Sequence, residues 1–227
     1  MIFGARLPER VRQTIVAGLG LFTAAMGLQL FMKTQNSIIV LVSLLVGGLL
    51  GEWFRIEDGL RWVGSFLEKR FSPPHNPDNH GIDFLPRHQS RFIRGFLTAS
   101  LVFCVGPMTI LGSIQDGLAG DYHLLATKAV LDGFAALAFA SSLGVGVLFS
   151  VLTVLIYQGS LSLLAAQAQT FISPAMMLEM TAVGGVILVG IAISSLLEIK
   201  PIRNGNFLPA LVIAPLLVAL LTAMGFL

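Results

Sequence analysis

The chain has 227 residues, of which 55% are hydrophobic and only 11% charged, with a mean hydropathy of +0.85. Soluble domains average roughly 25% charged residues because their surfaces face water, so this composition excludes an ordinary water-soluble domain and calls for lipid as the solvent. The net charge of +2 is not laid out as a Lys/Arg stripe interleaved with aromatics, which excludes nucleic acid as a partner, and a single cysteine, Cys104, excludes an intrachain disulfide framework.

A helix needs about 20 apolar residues to cross a hydrocarbon core roughly 30 Å thick. The first apolar run, Arg12 to Met32, carries no charge after Arg12 and stops at Lys33-Thr34-Gln35-Asn36. The second, Ser37 to Phe54, holds Gly47 and Gly51 at a GxxxG spacing, which reads first as close helix packing or dimerisation. A polar segment over 55–91 follows. Its first part, Ile56 to Phe71, places Ile56, Leu60, Val63, Phe66 and Leu67 on one helical face with Trp62 nearby, and Glu57, Asp58, Arg61, Glu68 and Lys69 largely on the other. That pattern predicts an amphipathic helix lying at the interface. Ser72 to Gly81 is rich in turn residues and reads as a loop. His75, His80 and His88, with Asp78 and Asp83, belong to this loop and read as solvated side chains rather than as a metal site; His123 is isolated.

The third run, Phe92 to Ile114, is interrupted by Gly106-Pro107 and contains Thr98, Ser100, Cys104 and Thr109. Gln115 and Asp116 end it before Gly117. From Ala129 to Ala168 the chain is apolar throughout, and a break near Ser141-Ser142-Leu143-Gly144 divides this stretch into a hairpin of two spans. The last two runs are Ala175 to Leu197 and Phe207 to Leu227. In lipid every backbone must satisfy its own hydrogen bonds, so the runs are helices. The expectation is a single all-α membrane domain over 1–227, a polytopic transmembrane helix bundle of about seven spans (six to eight), with broken helices.

Lys and Arg set the orientation. Arg6, Arg10 and Arg12 precede the first run, seven basic residues from Arg55 to Arg94 lie between the second and third, and Lys200 and Arg203 lie between the last two. The alternate connections carry only Lys33, only Lys128, or none. Seven spans starting inside place the basic set in the cytoplasm.

Four stretches, taken together, resemble a known family. They are Leu7-Pro8-Glu9-Arg10, Gly47-Gly48-Leu49-Leu50-Gly51-Glu52, the segment GFLTASLVFCVGPMTILGSIQDG from Gly95 to Gly117, and Lys128 to Gly159 with its LDG, FAS, LGVGVLFS and YQG. The likeness is to the bacterial membrane family labelled domain of unknown function 554 and covers nearly the whole chain. The resemblance implies an integral, multi-pass protein of the bacterial inner (plasma) membrane and assigns no catalytic residue. Members of that family usually begin with a further apolar helix ahead of the LPER stretch, and counting it would make eight spans and move the N-terminus outside.

Polar groups inside apolar runs are the candidates for function. Asp132, expected at or near the outer end of its helix, has Lys128 four residues earlier, a spacing that allows a pair on one face. Glu179, early in its run, suits the positive end of a helix, and Asn204 and Asn206 suit a cap. The Gly106-Pro107 interruption frees backbone carbonyls, as does the break around Ser141, Ser142 and Gly144. Aligning Gly95-Phe96 with Gly133-Phe134 sets Gly106 opposite Gly144, which suggests an inverted internal repeat of the kind that builds transporter sites. The glycines of the first run (Gly18, Gly20, Gly27) and of the sixth (Gly184, Gly185, Gly190) match equally well as packing surfaces, and glycine-rich faces also suit a homo-oligomer.

The function this favours is a secondary transporter or channel-like permease for a small solute or ion. Asp132, Thr98, Ser100, Gly106, Pro107, Ser141, Ser142 and Gln158 form the expected pathway. A non-transporting scaffold or accessory subunit acting through helix or loop contacts is the alternative. No nucleophile–base pair, P-loop or dinucleotide fingerprint occurs, so neither an enzyme nor a bound cofactor or metal is expected.

Overall fold

The computed structural model describes residues 9–71, 91–105, 107–164 and 172–225. The Ser72–Gly81 loop, its histidines and Gly106 lie outside these residues. The chain folds into nine α-helices among them: α1 (Glu9–Phe31), α2 (Ser37–Phe54), α3 (Ile56–Phe71), α4 (Arg91–Val105), α5 (Pro107–Ala119), α6 (His123–Leu143), α7 (Ser150–Leu163), α8 (Pro174–Ile191) and α9 (Ala210–Ala223). Short 3-10 turns (Val145–Phe149 and Asn204–Phe207) lead into α7 and α9, and α8 widens into a π turn over Ala192–Leu196. No strand occurs among the described residues.

Six helical stretches are long and apolar enough to cross a membrane, and α4 with α5 make a seventh that bends by 72°. Contacts at the helix ends show how they are threaded. Arg91, at the start of α4, donates from Nε and Nη2 to the carbonyl of Ser142 at the end of α6 (3.2 and 2.9 Å), whereas α5 ends at Ala119, just before α6 begins. α6 is 21 residues long and so rises about 30 Å. The α4–α5 pair therefore starts and finishes at opposite ends of a full span: it is a broken span. The described residues thus form an all-α bundle with six or seven candidate membrane-spanning stretches, the seventh being this bent pair.

Arginines gather on one side of the bundle. Arg203 pairs with Glu52, Arg94 with Glu198, and Arg91 with the end of α6. We call this the basic side and the opposite one the far side.

The interior has two larger cores and a smaller one, Leu67 of α3 with Phe92, Phe96 and Leu97 of α4. α1, α2, α8 and α9 surround a core of Leu30, Val40, Val183, Ile187, Ile191 and Ala214, which reaches Leu101 and Ile110 of the broken span. A second core joins Val16, Ala99, Phe103, Phe139, Leu143 and Val147 between α1, α4, α6 and the turn before α7. α8 is the central post, with 61% of its span buried, against 11% for α6 at the periphery.

Glycine makes the first group tight. A Cβ on Gly27 would fall 2.5 Å from the Gly185 carbonyl, and one on Gly185 would fall 2.5 Å from the Gly27 carbonyl. Of the glycines shared by the first and sixth runs, Gly27 and Gly185 thus meet backbone to backbone. Gly47 and Gly51 are likewise closed off within the chain by Ala210 and Asn206, so the GxxxG of α2 is a packing device and offers no free face for a second copy.

α3 has the expected limits but not the expected faces. Its packed side runs through Glu57, Leu60, Gly64 and Leu67, while Trp62, Val63 and Phe66 are exposed, with the Trp62 and Phe66 rings stacked at 6.1 Å. Glu57 turns inward because the backbone of Gly205 offers it a donor (2.9 Å). The exposed aromatic stripe is the one available to lipid headgroups, where Trp and Phe anchor interfacial helices.

Gly144 ends α6 at a hairpin between two spans, with φ +87°. The α4–α5 break lies half-way along one span. The alignment therefore matches a mid-span break to a helix end.

Candidate functional site: a polar seam at the broken span

Proline cannot donate a backbone hydrogen bond, so Pro107 leaves the Phe103 carbonyl without its helical partner. Thr109, fully buried, donates its hydroxyl to that carbonyl at 3.1 Å. The break is thus satisfied on one side by a side chain, and the polar character of α5 is partly explained by the backbone of α4.

Around the break, side chains of two other spans, α6 and α7, converge. α4 and α7 run in the same direction, and Ser100 donates to Thr153 at 3.1 Å. One turn further on, Cys104 of α4 and Tyr157 of α7 are neighbours, with Lys128 and Asp132 of α6 close to Cys104. Lys128 is buried, and its ammonium pairs with the Asp132 carboxylate. The helix begins at His123, six residues before the apolar run, which makes Asp132 the tenth of 21 residues. It therefore sits mid-helix and not at an outer end. Counting apolar residues stops at a charge, whereas the ion pair lets the helix carry both charges into the bundle.

Ser113 of α5 and Gln158 of α7 add buried polar atoms, Oγ and Nε2, that no group among the described residues satisfies. Thr98 is a third such group, but it points elsewhere: residues two apart in a helix are about 200° apart around the axis, so Thr98 and Ser100 face different neighbours. Ser141 and Ser142 are further still. They touch each other at 3.5 Å at the basic end of α6, roughly 15 Å along the helix from Asp132. The expected pathway set therefore divides. Asp132, Ser100 and the Pro107 break meet at this mid-helix seam, with the buried Nε2 of Gln158 one residue beyond Tyr157 on α7; Thr98, Ser141 and Ser142 face elsewhere. Lys128, Thr153, Tyr157 and Ser113 join the seam without having been expected there. Only the i,i+4 spacing of Lys128 to Asp132 signalled one of them in advance.

A second polar centre lies on the basic side. Glu57 accepts from Arg61 (2.6 Å) and from the Gly205 amide (2.9 Å), and its own amide donates to Asn206 Oδ1 (2.8 Å). Asn206 in turn donates to Glu52 (2.6 Å), and Asn204 donates to Ser194 in the π turn (2.6 Å). Asn204 and Asn206 are thus inter-helix clamps rather than caps. Beside them is a cavity of about 90 Å³, bordered by Arg94, Ser194 and Ser195 among others. Glu198, which holds Arg94, has a left-handed backbone (φ +53°). That conformation is strained in a non-glycine residue, and π turns and strained residues concentrate at functional positions.

The family model described as "Protein of unknown function (DUF554)" matches residues 1–219. The chain belongs to this family. It is similar to the "Uncharacterized membrane protein YdfK" of Bacillus subtilis, with 30% identity over 228 residues, covering 99% of this chain and 90% of that protein. It is also similar to the "Uncharacterized protein YqgA" of Escherichia coli, with 32% identity over 222 residues, covering 98% and 90% respectively. No solved structure matches it. In this DUF554 chain the far side is held by one residue above all. Glu179, buried in the second turn of α8, accepts from Thr34 Oγ1 (2.5 Å) and from the amides of Gln35 (2.8 Å) and Asn36 (3.1 Å). It ties the α1–α2 turn to the central helix, a role beyond the helix-dipole effect that its position suggested.

Proposed function

We propose that this protein is a secondary transporter or channel-like permease for a small polar solute or ion in the bacterial plasma membrane, with the basic side cytoplasmic, and that its path runs through the seam at the α4–α5 break. The observation that supports this reading is the set of buried, unsatisfied polar atoms there, Ser113 Oγ and Gln158 Nε2, beside a mid-helix ion pair. An orphaned buried donor or acceptor costs about 1–3 kcal/mol, and a charge near the bilayer centre costs roughly 2.5–3.5 kcal/mol on insertion scales. Packing alone gives no return for those costs, whereas a passing solute or its water completes the missing hydrogen bonds. Interrupted spans at mid-depth are where transporters bind, because freed backbone groups replace hydration. In this reading Asp132, held by Lys128, attracts or couples to a cation, and Ser100, Ser113 and Gln158 line the way.

Uptake screening of a deletion strain identifies the solute, and flux of that solute into proteoliposomes tests the site. Asp132→Asn and Gln158→Ala are expected to lower flux at least about tenfold, the effect of about 1.4 kcal/mol on the barrier, while the protein stays folded. Native flux in both variants would remove the seam from the mechanism. No flux of any screened solute above empty liposomes would sink the permease reading.

A further inference from the structure

Two openings on the basic side share a wall. The polar one, about 90 Å³, is bordered by Glu57, Arg61, Arg94, Ser194, Ser195 and Asn204. The other, about 280 Å³, runs between α2 and α8 and is lined by Leu44, Val186, Gly190, Ile193 and Phe207, with almost no polar surface. Ile202 and Asn204 border both. We infer that together they bind one anionic amphiphile, its acidic head in the polar cavity and its hydrocarbon chain in the groove.

The hydrogen-bond inventory of the cavity calls for an acid. Both oxygens of Glu57 are committed, Oε1 to Arg61 and Oε2 to the Gly205 amide. Glu198 lies outside the lining and takes Nη1 of Arg94. Arg94 Nε is buried and has no acceptor. Ser194 accepts from Asn204, and the Ser194 and Ser195 hydroxyls share one mutual bond (3.4 Å), so one of their two protons is left to donate. What remains unspent is a guanidinium N–H and a hydroxyl, the donors that a carboxylate or phosphate oxygen accepts, together with one acceptor, Asn204 Oδ1, which the proton of an acid's O–H can meet. The volume is that of about three waters, enough for such a head and too small for a sugar or nucleotide.

The groove calls for a chain. An apolar void of that size does not hold water, and in a bilayer hydrocarbon fills it. It also runs in the right direction. Ile193 lies within the π turn, and Val186 is seven residues earlier on α8, about 10 Å deeper into the membrane. The polar cavity is walled by α3, whose exposed Trp62 and Phe66 mark headgroup depth. Head at the interface and chain towards the core is the posture of a lipid. This site is separate from the seam and does not depend on transport.

The test uses the purified chain in a neutral detergent with three probes: palmitate, hexadecanol (the chain without the charge) and acetate (the head without the chain). Binding is read by native mass spectrometry and by thermal unfolding. Palmitate is expected to bind with one equivalent and raise the Tm, and the other two are not. Arg94→Gln is expected to weaken palmitate at least about tenfold, the effect of losing one charge-assisted hydrogen bond. Ile193→Phe, which fills the groove, is expected to do the same, while Leu137→Phe on the exposed face of α6 leaves binding intact. Equal binding of hexadecanol or acetate would overturn the inference, as would unchanged palmitate affinity in folded Arg94→Gln. Should Arg94→Gln not fold, unchanged affinity in both Ile193→Phe and Ser195→Ala would overturn it equally. No flux is measured, so failure here leaves the permease reading standing, and loss of that reading leaves this result untouched.

Discussion

Glu179 offers the sharpest test of how the bundle is held together. Its carboxylate is the acceptor for three donors of the α1–α2 turn, which lie 143 to 145 residues away in sequence. Glu179→Ala removes all three. Asn36 keeps a second acceptor, since its amide also reaches Thr34 Oγ1 at 3.1 Å, and Gln35 is exposed, so water recovers part of the loss. Hydrogen bonds to a charged group are worth about 1.5–3 kcal/mol each, and with this partial recovery the net cost is about 2–5 kcal/mol. Glu179→Gln keeps one carbonyl oxygen for the two amides, and its NH₂ donates to the Thr34 hydroxyl, so its cost is about 1–2 kcal/mol. For a chain of this length 1 kcal/mol moves the Tm by roughly 2–4 °C. The expected drops are therefore about 5–15 °C for Ala and a few degrees for Gln. Cys104 is buried and is the sole cysteine of the chain, so a thiol-reactive fluorophore reports unfolding directly. Glutamine falling below alanine, or alanine melting with the native protein, would refute the tether.

The remaining predictions concern packing and the break. Gly51→Ala drives a methyl into the Asn206 backbone, and Gly27→Ala drives one into Gly185; each is expected to cost about 1–3 kcal/mol or more, read by the same thiol assay. Gly133→Ala and Gly159→Ala meet nothing within 4 Å and are expected to be neutral or to stabilise by up to about 1 kcal/mol; if all four behaved alike, the packing assignment would be wrong. Thr109→Ala leaves the Phe103 carbonyl unpaired and is expected to cost about 1–3 kcal/mol. Pro107→Ala restores the backbone donor, so it is expected to raise the Tm while lowering flux, the trade expected where a function needs a strained element; a rise in both would detach the break from transport.

The bundle was legible in the sequence because its cause is local. Runs such as Ser37 to Phe54 contain too little charge to face water, and α2 has the limits that the run has. The amphipathic segment 56–71 was legible for the same reason, since its repeat is written within sixteen residues. Which way it faces was not. Glu57 packs inward only because Gly205 and Asn206 stand opposite, almost 150 residues on. The start of α6 was misjudged because a hydropathy count cannot see Lys128 and Asp132 neutralising each other across one turn.

The candidate site shows the same division between what one helix decides and what two helices decide. Pro107 announces a break in any sequence, because the missing N–H belongs to proline itself. That Thr109 fills the vacancy, and that the seam beyond it gathers Ser100, Thr153, Lys128 and Asp132, depends on α6 and α7 arriving at the same depth. Ser141 and Ser142 resembled a second break, yet Gly144 simply turns the chain between two spans. A proline within a helix and a glycine between helices interrupt an apolar run identically on paper. Only the span length separates them: 21 residues precede Gly144, enough to have crossed already, while α4 has fifteen when it breaks and has not. The polar groups at that unfinished crossing must therefore be satisfied inside the bundle, as Thr109 satisfies the Phe103 carbonyl, while Ser113 Oγ and Gln158 Nε2 have no partner among the described residues.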